Sequence, residues 1–548
     1  SIVVSGSVII SSFAALTFTP MLATKLLVKR EQQSWFYRKT EPFFEGMNRV
    51  YSKSLAAFLK RRWIALPFTI VTILLIGVLW NTIPAEMAPL EDRSQISINT
   101  MGAEGVTYEY IRDYTEDINH LVDSIIPDAE AVTARVSSGS GNVRITLKDM
   151  KDRDYTQMEV AEKLSKAVQK KTMARSFVQQ SSSFGGRRGG MPVQYVLQAT
   201  NIEKLQEVLP KFMTKVYENP VFQMADVNLK FSKPEARINI NRDKASIMGV
   251  STKNIAQTLQ YGLSGQRMGY FYMNGKQYEI LGEINRQQRN KPADLKGIYI
   301  RSDNGNMVQL DNLIELTGGI APPKLYRYNR FVSATISAGL ADGKTIGQGL
   351  DEMDKIAKET LDETFRTALT GDSKEYRESS SSLMFAFILA IVLIYLILAA
   401  QFESFKDPLI IMLTVPLAIA GALVFMYFGD ITMNIFSQIG IIMLIGLVAK
   451  NGILIVEFAN QKQEAGEDKM RAIKDASLQR LRPILMTSAS TILGLIPLAY
   501  ATGEGCNQRI AMGTAVVGGM LISTLLTMYI VPAIYSYVST NRSKLKTE

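Results

Sequence analysis

The chain has 548 residues, 47% of them hydrophobic, with 61 basic against 51 acidic side chains and a formal charge of +10. One cysteine, Cys506, excludes an internal disulfide, and one histidine, His120, excludes a metal site built on several imidazoles. The average composition is that of a soluble protein, but it conceals long apolar runs at residues 1–80 and 383–537 around a polar stretch. Much of the basic excess lies beside those runs, which makes it an orientation signal and argues against nucleic-acid binding.

Taken in order, the apolar stretch from Ile2 to Leu27 has no basic region ahead of it and no small-residue cleavage site. It reads as a membrane helix and not as a signal peptide, and the chain reads as a fragment that starts partway through a longer polytopic protein. Seven segments are expected to span, at 2–27, 63–80, 383–401, 408–428, 435–459, 484–501 and 510–537, each near the ~20 residues a bilayer needs. Trp63 and Trp80 bracket the second like an interfacial belt. Basic residues crowd the first connection (Lys29 and Arg30 through Arg61 and Arg62), the loop 460–482, and the tail with Arg542, Lys544 and Lys546. These fall on one side if the segments alternate, and the positive-inside rule makes that side the cytoplasm. Glu41 to Leu59 carries apolar residues at helical spacing and is expected to lie along that face of the membrane.

The polar region, roughly 84–375, is expected outside. It reads as repeated strand–helix–strand units. Gln95–Met101 alternates as a strand, Val106–Ile125 as a helix, Ala131–Val136 and Val143–Leu147 as strands and Met158–Lys171 as a helix. The order repeats with a strand at Val193–Ala199, a helix at Ile202–Tyr217, strands at Val227–Phe231 and Ala236–Ile240, and a helix at Thr252–Tyr261. Two split β-α-β units are the natural reading, separated by a loop at Ser181–Gly190. Met268–Ile284 reads as a hairpin turning at Asn274-Gly275. Residues 286–326 form a smaller β-rich piece, and Asn329–Leu340 with Ile346–Leu361 supply a strand and a helix to complete one of the sheets.

Enzymatic motifs are missing. Gly339-Leu-Ala-Asp-Gly343-Lys344-Thr345 is one residue short of a phosphate-binding loop, and a single remote histidine permits no Ser/His/Asp set. The membrane segments carry the chemistry. Lys450, followed by Asn451, lies inside an apolar run from Ile435 to Phe458, where an ammonium group costs about 2.5–3.5 kcal/mol and calls for an anionic partner. Glu457 is on the same helical face but nearer the cytoplasmic end, as an interfacial anchor. Arg480 and Thr487 are seven residues apart, and so share a face if the helix reaches back to Arg480. Pro483 is expected in that helix's first turn. Ala515-x-x-x-Gly519 permits close helix packing.

Gly446-Leu-Val-Ala-Lys450-Asn451-Gly-Ile-Leu-Ile-Val-Glu457-Phe458-Ala459 and Arg480-Leu-Arg-Pro-Ile-Leu-Met-Thr487-Ser488 closely resemble the resistance-nodulation-division (RND) efflux permeases of Gram-negative bacteria, in the hydrophobe/amphiphile exporter branch. Ala400-Gln-Phe-Glu-Ser404, Val415-Pro416-Leu417 and Asn241 through Ser251 also fit. The resemblance covers the whole chain and only the second half of the family's twelve-helix fold. It implies an α-helical polytopic membrane protein with a large periplasmic α+β insertion, built of repeated ferredoxin-like porter subdomains and a docking subdomain. The implied layout is a membrane helix at 1–30, a cytoplasmic connector at 31–62 and a second membrane helix at 63–83. Porter subdomains follow at 84–185 and 186–262, with docking at 263–326 and a returning porter segment at 327–378. Five membrane helices at 379–540 and a cytoplasmic tail at 541–548 complete it.

By the same resemblance Lys450 pairs with aspartates on a helix of the missing N-terminal half, while Thr487 and Arg480, with Asn451 nearby, support a proton relay. No cofactor is implied beyond the proton motive force. The implied partners are that N-terminal half, two further copies in a homotrimer, a periplasmic adaptor and an outer-membrane channel, in the inner membrane. One departure is that Ser137-Ser-Gly-Ser-Gly141 is short and lacks the phenylalanine that multidrug members carry there, which weakens the expectation of an aromatic-lined drug pocket. The rival readings are a metal-exporting relative, for which Met191, Met213, Met224, Met248, Met268 and Met273 are candidate soft ligands, and an accessory for protein translocation or lipid transport on the same scaffold.

Overall fold

The computed structural model describes residues 2–26, 35–180, 191–322, 324–341 and 343–540. The expected loop at Ser181–Gly190 and the basic tail lie outside them. Two compact bodies divide the chain, one from 1–83, 382–501 and 509–548, the other from 84–381 and 502–508.

Helices α1 (Ile2–Leu26), α2 (Trp35–Lys60) and α3 (Ala65–Thr82) open the first body. The amphipathic pattern of α2 places Tyr51, Leu55 and Leu59 on one buried face. The Tyr51 hydroxyl donates to the Met528 carbonyl at 2.6 Å.

The second body begins with β1 (Gln95–Met101), α4 (Tyr108–Ile125), β2 (Ala131–Ser137), β3 (Ser140–Thr146), α5 (Gln157–Gln169) and β4 (Arg175–Gln180). These strands form an antiparallel sheet in the order β2-β3-β1-β4. Strand alternation turns Ile96, Ile98, Val143 and Ile145 to one face, where Tyr114, Ile118, Val122 and Leu164 of the two helices cover them. Strand β4 was not anticipated, because RSFVQQ carries too few apolar residues to alternate visibly.

A second sheet starts with β5 (Val193–Ala199), α6 (Ile202–Glu218) and β6 (Phe222–Val227). The chain then leaves it through β7 (Lys233–Ile240), α7 (Arg242–Ile247), α8 (Thr252–Leu263), the hairpin β8 (Gln266–Met273) and β9 (Lys276–Gly282), β10 (Tyr299–Arg301), β11 (Met307–Gln309) and β12 (Ile314–Ala321). It returns through β13 (Arg327–Tyr328), β14 (Phe331–Leu340), α9 (Ile346–Thr360) and β15 (Arg366–Leu369). The sheet runs β13-β14-β5-β15, with β6 also on β14.

The expected second repeat is therefore corrected in three places. The strand expected at Val227–Phe231 is β6, which ends at Val227. Asn228 closes it by accepting the Thr335 N–H on its side chain at 2.7 Å, and Leu229 is buried as an anchor and not as part of a ladder. Residues 236–240 do not join this sheet, because β7 pairs with β12 in a separate ribbon. Both faces of β7 are largely open, so its alternation marks no buried side. Helix α8 likewise belongs elsewhere, with Ile255 packed among Ala245, Val250, Ile300, Leu310 and Leu313.

Helices α10 (Gly371–Phe402), α11 (Lys406–Met412), α12 (Thr414–Phe428), α13 (Ile435–Glu464), α14 (Lys469–Ala499) and α15 (Cys506–Val538) complete the chain. Among the described residues seven helices are long and apolar enough to cross a membrane. Pro483 does not open its helix as expected. The Asp468 side chain accepts the Met470 N–H at 3.1 Å and starts α14 much earlier, so most of the basic loop is helical and Pro483 lies inside it. Small residues bring α12, α13 and α15 together. A Cβ on Gly519 would stand 2.1 Å from Leu444 Cδ2 and 2.9 Å from the Ala418 carbonyl oxygen.

Candidate functional site

The site is built on α13. Asn434 fixes its start by accepting the N–H groups of Phe436 and Ser437, both at 3.0 Å, while the Ser437 hydroxyl accepts the Asn434 N–H at 2.9 Å. This reciprocal cap satisfies backbone donors that have no helical partner. From there two stripes run along the helix at three- and four-residue steps. Gly440, Leu444, Val448, Asn451, Ile455 and Ala459 are buried. Ile439, Met443, Gly446 and Lys450 are exposed. Lys450 thus stands at the end of an uncovered stripe, and among the described residues it forms no hydrogen bond or ion pair.

Asn451, one residue on, faces inward. Its amide nitrogen donates to Ser488 Oγ of α14 and Thr524 Oγ1 of α15, each at 3.3 Å, and Thr524 Oγ1 donates to Ser488 Oγ at 3.2 Å. Thr487 is half-buried and its hydroxyl donates to the Ile484 carbonyl at 3.2 Å. Arg480 holds its guanidinium 4.3 Å from the centre of the Phe458 ring, a cation–π contact. Its buried Nε has no hydrogen-bond partner among the described residues. No hydrogen bond joins Lys450, Thr487 and Arg480 to one another among those residues, so the structure brings together Asn451 and two hydroxyls and leaves the other three candidates apart.

A second polar network was not legible. Gln463 Nε2 donates to the Tyr535 hydroxyl at 2.6 Å, that hydroxyl to Asn460 Oδ1 at 2.5 Å, and Asn460 Nδ2 to Asp407 Oδ2 at 3.1 Å. All four side chains are buried, and they tie α11, α13 and α15 together. Their sequence signal is only a polar residue at the edge of each apolar run, and nothing in the spacing shows that the four converge.

These helices make the chain a multi-pass membrane protein. It belongs to the AcrB/AcrD/AcrF family, whose match extends over residues 1–539. An uncharacterized transporter of Haemophilus influenzae is 30% identical to it over the full chain, which covers 54% of that protein. The chain spans about half the length of the curated relative it matches.

Proposed function

We propose that this chain is the C-terminal half of a proton-driven exporter of amphiphilic compounds, in the inner membrane of a Gram-negative cell and not an enzyme. The observation that carries the reading is the Lys450 ammonium on an uncovered stripe of a membrane helix, without a counter-charge among the described residues. A cation there is tolerated when acidic groups on a neighbouring helix face it. In the intact transporter those groups belong to the N-terminal half. Protonating them removes their attraction for Lys450, and the helices move between two packed arrangements. No bound cofactor takes part, since the proton gradient supplies the work.

In the same reading, 84–185 and the sheet on β5 and β14 are porter subdomains in the periplasm, and the intervening ribbon and hairpin are a docking subdomain. Assembly as a trimer belongs to this reading, and hairpin β8–β9 offers a protein partner an apolar surface, with Met268, Tyr272 and Leu281 exposed on it. An adaptor and an outer-membrane channel complete the pump. The metal-exporting alternative would need soft ligands that converge, and of its candidates Met191 and Met213 are buried, Met224 is half-buried and Met248, Met268 and Met273 are exposed.

The test is ethidium efflux by the intact transporter in proteoliposomes under an imposed pH gradient. Lys450→Met keeps the side-chain length, removes the charge and is expected to abolish efflux at matched protein level. Full efflux by that variant overturns the reading.

A further inference from the structure

We propose that Ser488 and Thr524 are positioning residues that set the rotation of α13 and with it the direction of Lys450. The functional part of this inference rests on reading Lys450 as the coupling cation; the geometric part does not.

A side-chain amide nitrogen has two hydrogens to donate. Both hydrogens of Asn451 are taken, one by a hydroxyl of α14 and one by a hydroxyl of α15, and the two hydroxyls are themselves bonded. The ring is closed, draws on three helices, and is buried, with exposures of 2% for Asn451 and 4% for Ser488 and Thr524. Turning α13 about its axis would break two of its three bonds in a place water does not reach, and a buried polar group left unpaired is strongly disfavoured. The next residue, Gly452, tightens the constraint from another side. A Cβ there would stand 3.2 Å from Ile411 Cγ2 and 3.4 Å from Thr414 Cγ2, so α11 and α12 leave little room for the helix to shift sideways.

The consequence for Lys450 is angular. Successive residues on a helix point about 100° apart, so fixing Asn451 fixes Lys450. Helices α13 and α14 are joined by residues 465–468 only, and a helical hairpin with so short a turn is antiparallel. Stepping back one residue on each of two antiparallel helices turns both directions toward the same side. With Asn451 facing Ser488, Lys450 and Thr487 therefore swing to one side together. Their environments agree, since Lys450 is exposed and Thr487 half-exposed. The pairing of residues 451 and 488 thus acts as the register that presents residues 450 and 487 to one partner. A rotation of ~30° would carry a lysine head group ~4 Å, more than the length of a hydrogen bond.

The experiment uses the intact transporter with Cys506→Ser. Cysteines replace Lys450 and Thr487 as a pair, and their cross-linking by a short bifunctional methanethiosulfonate reports the shared direction without any need for transport. In a separate series that keeps Lys450, ethidium efflux under a pH gradient is measured at matched protein level. Ser488→Ala with Thr524→Val is expected to reduce cross-linking to the level of cysteine pairs at unrelated positions, and to reduce efflux about tenfold, as misplacement of a reacting group does. Ser488→Thr and Thr524→Ser, which keep the hydroxyls, are expected to retain both signals. Unchanged cross-linking in the hydroxyl-free variant overturns the proposal, whether or not efflux falls. Reduced cross-linking with full efflux overturns its functional part. If Lys450→Met alone leaves efflux intact, the coupling reading fails, and the cross-linking series still decides the rotation.

Discussion

At the scale of single residues, Thr487, Arg480 and Phe458 make distinguishable demands. The Thr487 hydroxyl spends its hydrogen on the Ile484 carbonyl, so toward an ammonium group it can only accept. One hydrogen bond to a charge is worth about 1.5–3 kcal/mol, so Thr487→Ala is expected to slow pH-driven ethidium efflux about tenfold without abolishing it. Efflux as low as that of Lys450→Met would assign Thr487 a larger part than one acceptor. Arg480 rests on the Phe458 ring and keeps a buried Nε free of hydrogen bonds among the described residues. Replacing Phe458 with leucine removes the ring face while keeping apolar bulk. If the ring holds the guanidinium in place, Phe458→Leu and Arg480→Ala should impair efflux to similar extents, and their combination should be no worse than either alone. Additive losses would separate the two. The sequence located Lys450, Asn451, Thr487 and Arg480 because polar residues stand out in apolar runs. It gave no account of Ser488 and Thr524, whose hydroxyls are commonplace in membrane helices and gain meaning only when three helices meet.

At the scale of elements, helix contacts in the membrane body are set by what glycine leaves out. A Cβ on Gly519 meets Leu444 and a backbone carbonyl of Ala418, whereas nothing lies within 4 Å of one on Gly446. Gly519→Ala is therefore expected to cost roughly 1–3 kcal/mol through overpacking and to lower the thermal unfolding midpoint of the purified protein. Gly446→Ala should keep or raise it, since alanine is the better helix former, and equal midpoints for the two variants would refute this packing. In the polar body, Arg286 donates two hydrogen bonds to Glu109, at 2.5 and 2.8 Å, joining α4 to the segment after the hairpin. These bonds are the main reason the Glu109 carboxyl is held down to about 2 from its ordinary 4.5. A depressed carboxylate contributes stability above its unfolded value and loses it as pH falls through the folded one, so this link should persist below pH 4.5 and fail near pH 2. Carbodiimide coupling, which needs the protonated acid, should spare Glu109 at pH 3.5 in the wild-type protein and modify it in Arg286→Ala; equal modification would rule the link out. Helices with long apolar runs were legible because length alone declares them. Strands were legible where one face is buried, as in β1, or where a short apolar run is buried on both, as in β5. The alternation of β7 misled because it pairs in an open ribbon, and β4 was invisible because its burial comes from α5 and β1 and not from its own pattern.

At the scale of the whole molecule, charge asymmetry in the connections predicts an orientation. Ser138, exposed in the turn between β2 and β3, is expected in the periplasm, and Glu464, exposed at the end of α13, in the cytoplasm. Cysteines placed at each, in cells with a permeabilised outer membrane, should react with an impermeant maleimide at 138 and not at 464; the reverse pattern would invert the topology. The two sheets of the polar body also differ in a way that bears on synthesis. The first draws all its strands from residues 95–180, with β4 completing it on the far side of β1. The second places β5 between β14 and β15, so Tyr195 waits for Ile336 and Leu369 while the ribbon and hairpin are made. Distant pairing delays folding and leaves strand edges open meanwhile. As the chain emerges from the ribosome, the first sheet can close early, whereas β5 stays unpaired until nearly the whole polar region has been delivered. That interval is when this protein is most open to capture by chaperones or proteases, and mutations in β14 or β15 should act first on yield and only afterwards on the finished fold.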